Sequence, residues 1–144
     1  MKKLSFLIPI FLIVSCANEP SNELTIYTSR QPQLIEPIIE KFTEQTGIKV
    51  NYLSGNAQEL MERIDVEGTK SPADIFMTVD AGVLWQAAER DIFETIDSDV
   101  LKKNIPSYLR DPNNQWFGLS KRARTIVFSN DQFSKDDFSS YEDL

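Results

Sequence analysis

The 144-residue chain has no histidine and only one cysteine, Cys16. Without histidine, Ser-His-Asp and Cys-His catalysis and any imidazole metal site within the chain are excluded. A lone cysteine excludes internal disulfides and thiolate metal clusters. Basic residues are also scarce: 15 Lys and Arg stand against 22 Asp and Glu, a formal net charge of −7, which disfavours nucleic acid as a partner. Low-complexity tracts and internal repeats are missing as well. What remains, 41% hydrophobic and 26% charged residues, is the composition of one ordinary globular unit and argues against disorder.

Lys2-Lys3 followed by the apolar run Leu4 to Val14 forms a basic and then a hydrophobic region of signal-peptide type. The run falls short of the roughly 20 residues a bilayer span needs. Ile13-Val14-Ser15-Cys16 matches a lipobox, which would leave Cys16 lipidated; ordinary cleavage after Ser15-Cys16-Ala17 is the alternative. Both place the mature chain outside the cytoplasm, with residues 17–22 as a tether.

Leu24 to Tyr27 alternates and reads as a first strand. The following helix starts at about Gln33, with Leu34, Ile35, Ile38, Ile39 and Phe42 on its apolar face and Gly47 at its end. Ile48 to Leu53 is a second strand. Asn56 and Glu59 open a second helix in the manner of a capping box, with Ala57, Leu60, Met61 and Ile64 buried and Gly68 as its stop. Ile75 to Val79 reads as a short buried strand after Pro72, and Ala81 to Ala88 as a helix packing Leu84, Ala87 and Ala88. Alternation of this kind predicts an α/β fold with parallel strands, right-handed crossovers and helices on both faces. Further on come a short helix at Ser98 to Lys103, a turn at Asp111 to Asn114, and strands at Trp116 to Leu119 and Thr125 to Ser129 that a single long strand could unite.

Each polar cluster has two readings. Ser29, Arg30 and Gln31 lie between strand one and helix one, where hydroxyls, a guanidinium and free helix N–H groups hold anions; a plain helix start with a surface arginine is the other possibility. Asp80 ends the third strand and is either a partner of a bound cation or hydrated ligand, or the N-cap of the next helix. Arg122 and Arg124, two apart on a predicted strand, share a face and need an anion between them, either a bound oxyanion or nearby carboxylates. Tyr27 and Tyr52 lie in strands and read as core; Tyr108 lies beside a proline turn. Asp136 and Asp137 are adjacent, so they do not face one site.

Tyr27-Thr-Ser-Arg30, Thr46-Gly-Ile-Lys-Val50, Glu67-Gly68, Ser71-Pro-Ala-Asp-Ile-Phe-Met-Thr-Val-Asp-Ala-Gly82, Leu109-Arg-Asp-Pro112, Trp116-Phe-Gly-Leu-Ser-Lys-Arg-Ala-Arg124 and Tyr141-Glu-Asp-Leu144 form an ordered series. Together they resemble the substrate-binding proteins of bacterial iron(III) ABC transporters, the periplasmic ferric-ion-binding proteins. The resemblance implies a type II periplasmic-binding-protein clamshell with a mixed, largely parallel sheet flanked by helices. Residues 1–16 would be the signal or lipoprotein segment, 23–120 lobe one, and 121–144 the hinge crossing and an incomplete lobe two. Family members are longer chains, so this one reads as an N-terminal piece, with the tyrosine ligands expected beyond Leu144.

The resemblance further implies an extracytoplasmic, monomeric protein without enzymatic activity, lipid-anchored if Cys16 is modified. It would capture iron(III), with carbonate or another small anion, between two lobes and deliver it to an ABC permease of the inner membrane. Where many members carry a histidine and often a tyrosine after the Ser-Arg pair, Gln31 and Pro32 stand here. Where some carry a ligating glutamate at the end of strand three, Val79 stands here, followed by Asp80. Lobe one therefore lacks a strong metal ligand, and Arg30 with Arg122 or Arg124 becomes the anion holder. The same fold also serves thiamine, sulfate, phosphonates and organic anions. Trp85 or Trp116 facing a cleft would favour an organic ligand.

Overall fold

The computed structural model describes residues 22–123 and 125–143. The chain divides into two compact units, Met1–Val79 and Asp80–Leu144. The expected signal segment, with Cys16, and the position of Arg124 lie outside the described residues.

The first unit is built on β1 (Glu23–Thr28), α1 (Pro32–Thr46), β2 (Lys49–Ser54), α2 (Ala57–Glu67) and β3 (Ile75–Met77). The strands pair in parallel in the order β2-β1-β3. β1 is thus hydrogen-bonded along both edges, and its second half, Ile26 to Thr28, is buried, Thr28 completely. α1 lies against β2 and α2 against β1. Parallel neighbours demand a crossover between each pair of strands, and the two helices are those crossovers.

Local chemistry sets the boundaries. Pro32 opens α1, where a missing N–H is harmless. Pro37 sits inside the helix and gives up the bond to the Gln33 carbonyl, on an exposed face. Gly47 closes α1 in the left-handed region at φ 70°. Asn56 caps α2 through its side-chain oxygen, which accepts from Gln58 N and Glu59 N.

The apolar faces are narrower than the sequence pattern suggests. On α1 only Ile35 is buried, with Ile39 and Phe42 half-buried, whereas Leu34 and Ile38 are 55% and 67% exposed. Positions 35, 39 and 42 follow one helical row that a small sheet can cover; 34 and 38 lie beside it. α2 behaves as expected, with Leu60 and Met61 buried and Ala57 and Ile64 half-buried. Tyr52 is not core: it lies on edge strand β2 and donates to Glu36 Oε1 at 2.6 Å. The third strand is shorter than expected and not buried, since it ends at Met77 and leaves Ile75 and Val79 40% and 52% exposed.

The second unit begins with α3 (Ala81–Glu89) and α4 (Asp99–Asn104), the latter capped by Ser98. Ala87 is fully buried and Leu84 and Ala88 half-buried, as the spacing predicts. A tight antiparallel return follows. Asp111 N donates to Trp116 O, Gly118 N donates to Leu109 O, and Arg110 bridges Phe117. The buried Asp111 carboxylate accepts from Asn113 N and Gln115 N and so folds the turn from within.

Two expected strands are corrected here. Trp116 to Leu119 contributes only that one bridge, and Thr125 to Ser129 forms no strand among the described residues. Ile126 and Phe128 are half-buried while Thr125 and Val127 are exposed, so the period of a strand is present without a ladder. Strand propensity needs a neighbour to bond with, and none of the described residues pairs with it. The sheet is accordingly all parallel, not mixed, among the described residues. Phe128, Phe133 and Phe138 gather instead, with ring centroids 5.2 and 5.4 Å apart.

Met61 has no exposed surface and Val66 is 88% exposed on the same helix. Met61→Ala should lower unfolding free energy by about 2–5 kcal/mol, and Val66→Ala should stay within about 0.5 kcal/mol of the parent. Urea titration followed by far-ultraviolet circular dichroism measures both.

Candidate functional site

The three parallel strands end on the same side, and the residues just past β1 collect there. Ser29 N donates to Met77 O at 3.0 Å, and Gly55 N donates to Thr28 O at 3.0 Å. The first loop is thus fastened to the ends of both neighbouring strands. Arg30 N donates to Thr28 Oγ1 at 3.0 Å, and Ser54 Oγ donates to Arg30 O at 3.4 Å. Ser29, Arg30 and Gln31 form the turn between β1 and α1, joined by Thr28 and the Ser54-Gly55 corner. The signal for that corner was a Ser-Gly pair directly after the second strand.

Two features leave donors available in this cluster. Gln31 stands at the N-cap of α1 without a side-chain cap bond, its side chain instead accepting from Gln33 Nε2 at 2.8 Å, and the first turn holds no acidic residue. Ser29 Oγ is buried and has no hydrogen-bond partner among the described residues. A buried hydroxyl without a partner is costly unless something fills the gap. The cluster consists of hydroxyls, amides and one guanidinium. The N–H and O–H donors of that set suit an oxyanion, and the turn holds no carboxylate for a hard cation.

Tyr27 and Tyr52 do not supply phenolates here. Tyr27 is 2% exposed, and its hydroxyl is 3.3 Å from both carboxylate oxygens of Glu67. Burial first, and the Glu67 charge second, push its pKa upward. The Glu36 hydrogen bond raises that of Tyr52. Both phenols stay protonated and already donate to carboxylates. Tyr108 is 72% exposed and lies under the Lys121 ammonium, 5.6 Å from the ring centroid. Among the described residues no group of three His, Cys, Asp or Glu is arranged to hold a metal ion.

The second unit carries the remaining predicted residues. Asp80 is the N-cap of α3, its Oδ1 accepting from Gly82 N at 2.6 Å. A Cβ at Gly82 would lie 2.8 Å from that oxygen, so the glycine is what lets the cap close. Arg122 is exposed in an irregular stretch. The expected face shared with Arg124 cannot be traced, because Arg124 lies outside the described residues. Trp85 is 54% exposed, and Trp116 Nε1 is buried without a partner among the described residues. A cavity of about 410 Å³ lies elsewhere in this unit, with Leu101, Ile105, Leu109 and Leu119 among its walls and Lys121 at its edge. Its lining holds no carboxylate.

Parallel strands that deliver hydroxyls and helix N–H groups to one end define an α/β protein of the small-ligand-binding class. The chain belongs to the bacterial extracellular solute-binding protein family, whose pattern matches residues 27–142. It is 41% identical over 143 residues to iron uptake protein A1 of Synechocystis, an alignment covering 92% of this chain and 40% of that protein. It resembles the Trichodesmium protein (IdiA, FutA) solved with iron and citrate ligands, with a TM-score of 0.79 and 45% identity, covering 84% of this chain and 38% of the other. It also resembles the ferric binding protein from Campylobacter jejuni, with a TM-score of 0.64 and 42% identity, covering 65% and 30%. The chain thus spans about 40% of the length of the curated relative.

If Asp80 acts as a cap, Asp80→Ala should cost about 1 kcal/mol, and Asp80→Asn or Asp80→Ser should keep most of it. Chemical denaturation of the three variants reads this directly.

Proposed function

We propose that this chain carries the anion-holding lobe of an extracytoplasmic iron(III)-binding protein that serves an ABC importer. Ferric iron enters with a small anion such as carbonate or citrate. Ser29, Arg30 and Gln31 bind the anion. Oxygen donors to the iron come from a second lobe, and closure of the two lobes sequesters the pair for delivery to a membrane permease. Residues 23–120 belong to lobe one and residues 121–144 to the crossing. The protein works as a monomer, catalyses no reaction, and stays near the membrane through a lipid if Cys16 is modified.

One observation carries this reading: the buried, unpartnered Ser29 hydroxyl beside Arg30 at the uncapped start of α1. The relatives support it through what they bind, namely iron in the Campylobacter protein and iron with citrate in the Trichodesmium protein. The absence of histidine from the sequence weighs against an enzyme.

Ferric citrate titrated into the whole protein carrying this lobe should produce a visible tyrosinate-to-iron band, and Arg30→Ala should weaken retention about tenfold. Unchanged affinity in Arg30→Ala across carbonate and citrate would refute the anion-holder role. Tight binding of sulfate or a phosphonate with no response to iron would shift the assignment to another solute.

A further inference from the structure

The sequence series contains one pair of motifs that ligand binding leaves unused, Glu67-Gly68 and Ser71-Pro-Ala-Asp74. The structure gives them a common task. Glu67 is the last residue of α2, and its carboxylate takes partners from three directions. Oε1 accepts from Arg63 Nε at 2.7 Å and Oε2 from Ser71 Oγ at 2.7 Å, while the Tyr27 hydroxyl lies 3.3 Å from both. The Arg63 guanidinium sits over the Tyr27 ring, 5.3 Å from its centroid. Ser71 passes the restraint on, because its Oγ also accepts from Ala73 N at 3.3 Å. Asp74 then grips β1 from the other end, its Oδ2 accepting from Thr25 N at 2.8 Å and its own N donating to Thr25 O at 2.9 Å.

Tyr27 lies two residues before Ser29. The bond from Ser29 N to Met77 O closes the Thr28–Met77 rung of the β1–β3 pairing, so the Ser29 backbone is tied to the end of the ladder that Tyr27 belongs to. Whatever fixes the Tyr27 side chain therefore also fixes the level of the strand from which the Ser29 hydroxyl projects. We propose that Glu67 is a positioning residue for the anion-holding end of β1: by gripping Tyr27, Ser71 and Arg63 together it sets where Ser29 Oγ and the Arg30 backbone stand. This proposal rests on reading Ser29 to Gln31 as the anion holder.

The test compares the parent chain with Glu67→Ala, Glu67→Gln and Ser71→Ala, at a temperature where each is fully folded. Amide resonances are recorded without ligand and during titration with citrate. Glu67→Ala should move the Ser29 and Arg30 amide signals in the ligand-free protein and weaken citrate binding at least fivefold. Glu67→Gln should restore both most of the way, because its amide oxygen still accepts from Ser71 and Tyr27. Ser71→Ala, which removes one grip only, should give a smaller change of the same kind and decides the matter if Glu67→Ala does not fold. Loss of thermal stability with Ser29 and Arg30 signals at their parental positions would overturn the proposal. If the parent itself shows no response to citrate, the anion reading falls, and the ligand-free amide shifts alone decide whether Glu67 positions this end of the strand.

Discussion

Everything described in the first unit depends on β1 having a parallel partner on each edge. A parallel neighbour cannot be reached by a hairpin, so the chain must leave each strand end, cross as a helix and return to the same side. Three strand ends are thereby collected at one edge of the sheet, and the first residues beyond them have to turn sharply. Thr28, Ser29 and Gly55 meet because of this topology. The cost of the arrangement is a central strand whose polar groups lie deep in the protein, and the structure meets it residue by residue. Thr28, with no exposed surface, accepts from Gly55 through its backbone and from Arg30 through its hydroxyl; Tyr27, at 2% exposure, leans on Glu67. Ser29 Oγ is buried here with no hydrogen-bond partner among the described residues.

The punctuation of the fold was legible in the sequence because it is local. Gly47 in the left-handed region, Asn56 and Asp80 as caps and Ser98 before α4 each act within four residues of their own position. The cluster at Ser29 to Gln31 was legible for the same reason, since it lies on a single strand-to-helix turn. Burial was less so. Leu34 and Ile38 carry the same hydrophobic signal as Ile35 and Ile39, and only the width of a small sheet decides which row it covers. Thr125 to Ser129 shows that a strand pattern states a capacity that a neighbour has to complete. The Tyr27–Glu67 contact spans 40 positions and left no periodic trace at all.

The chemistry of the described residues is divided in a way that bears on ligand choice. Phenols that could serve as hard oxygen ligands are protonated and occupied at Tyr27 and Tyr52. Carboxylates are plentiful, yet no three of them converge among the described residues. The donors that do converge are hydroxyl and backbone amide groups, which match negative charge. In the proposed account this lobe recognises the companion anion of ferric iron and leaves the metal bonds to its counterpart.

The most direct measurement is a crystal structure of the whole protein carrying this lobe, grown with ferric citrate and phased at the iron edge. The account predicts citrate oxygen within hydrogen-bonding distance of Ser29 Oγ and of the Arg30 guanidinium, with no atom of residues 28–31 bonded to iron. Direct coordination of iron by this turn, or citrate seated away from it, would contradict the account.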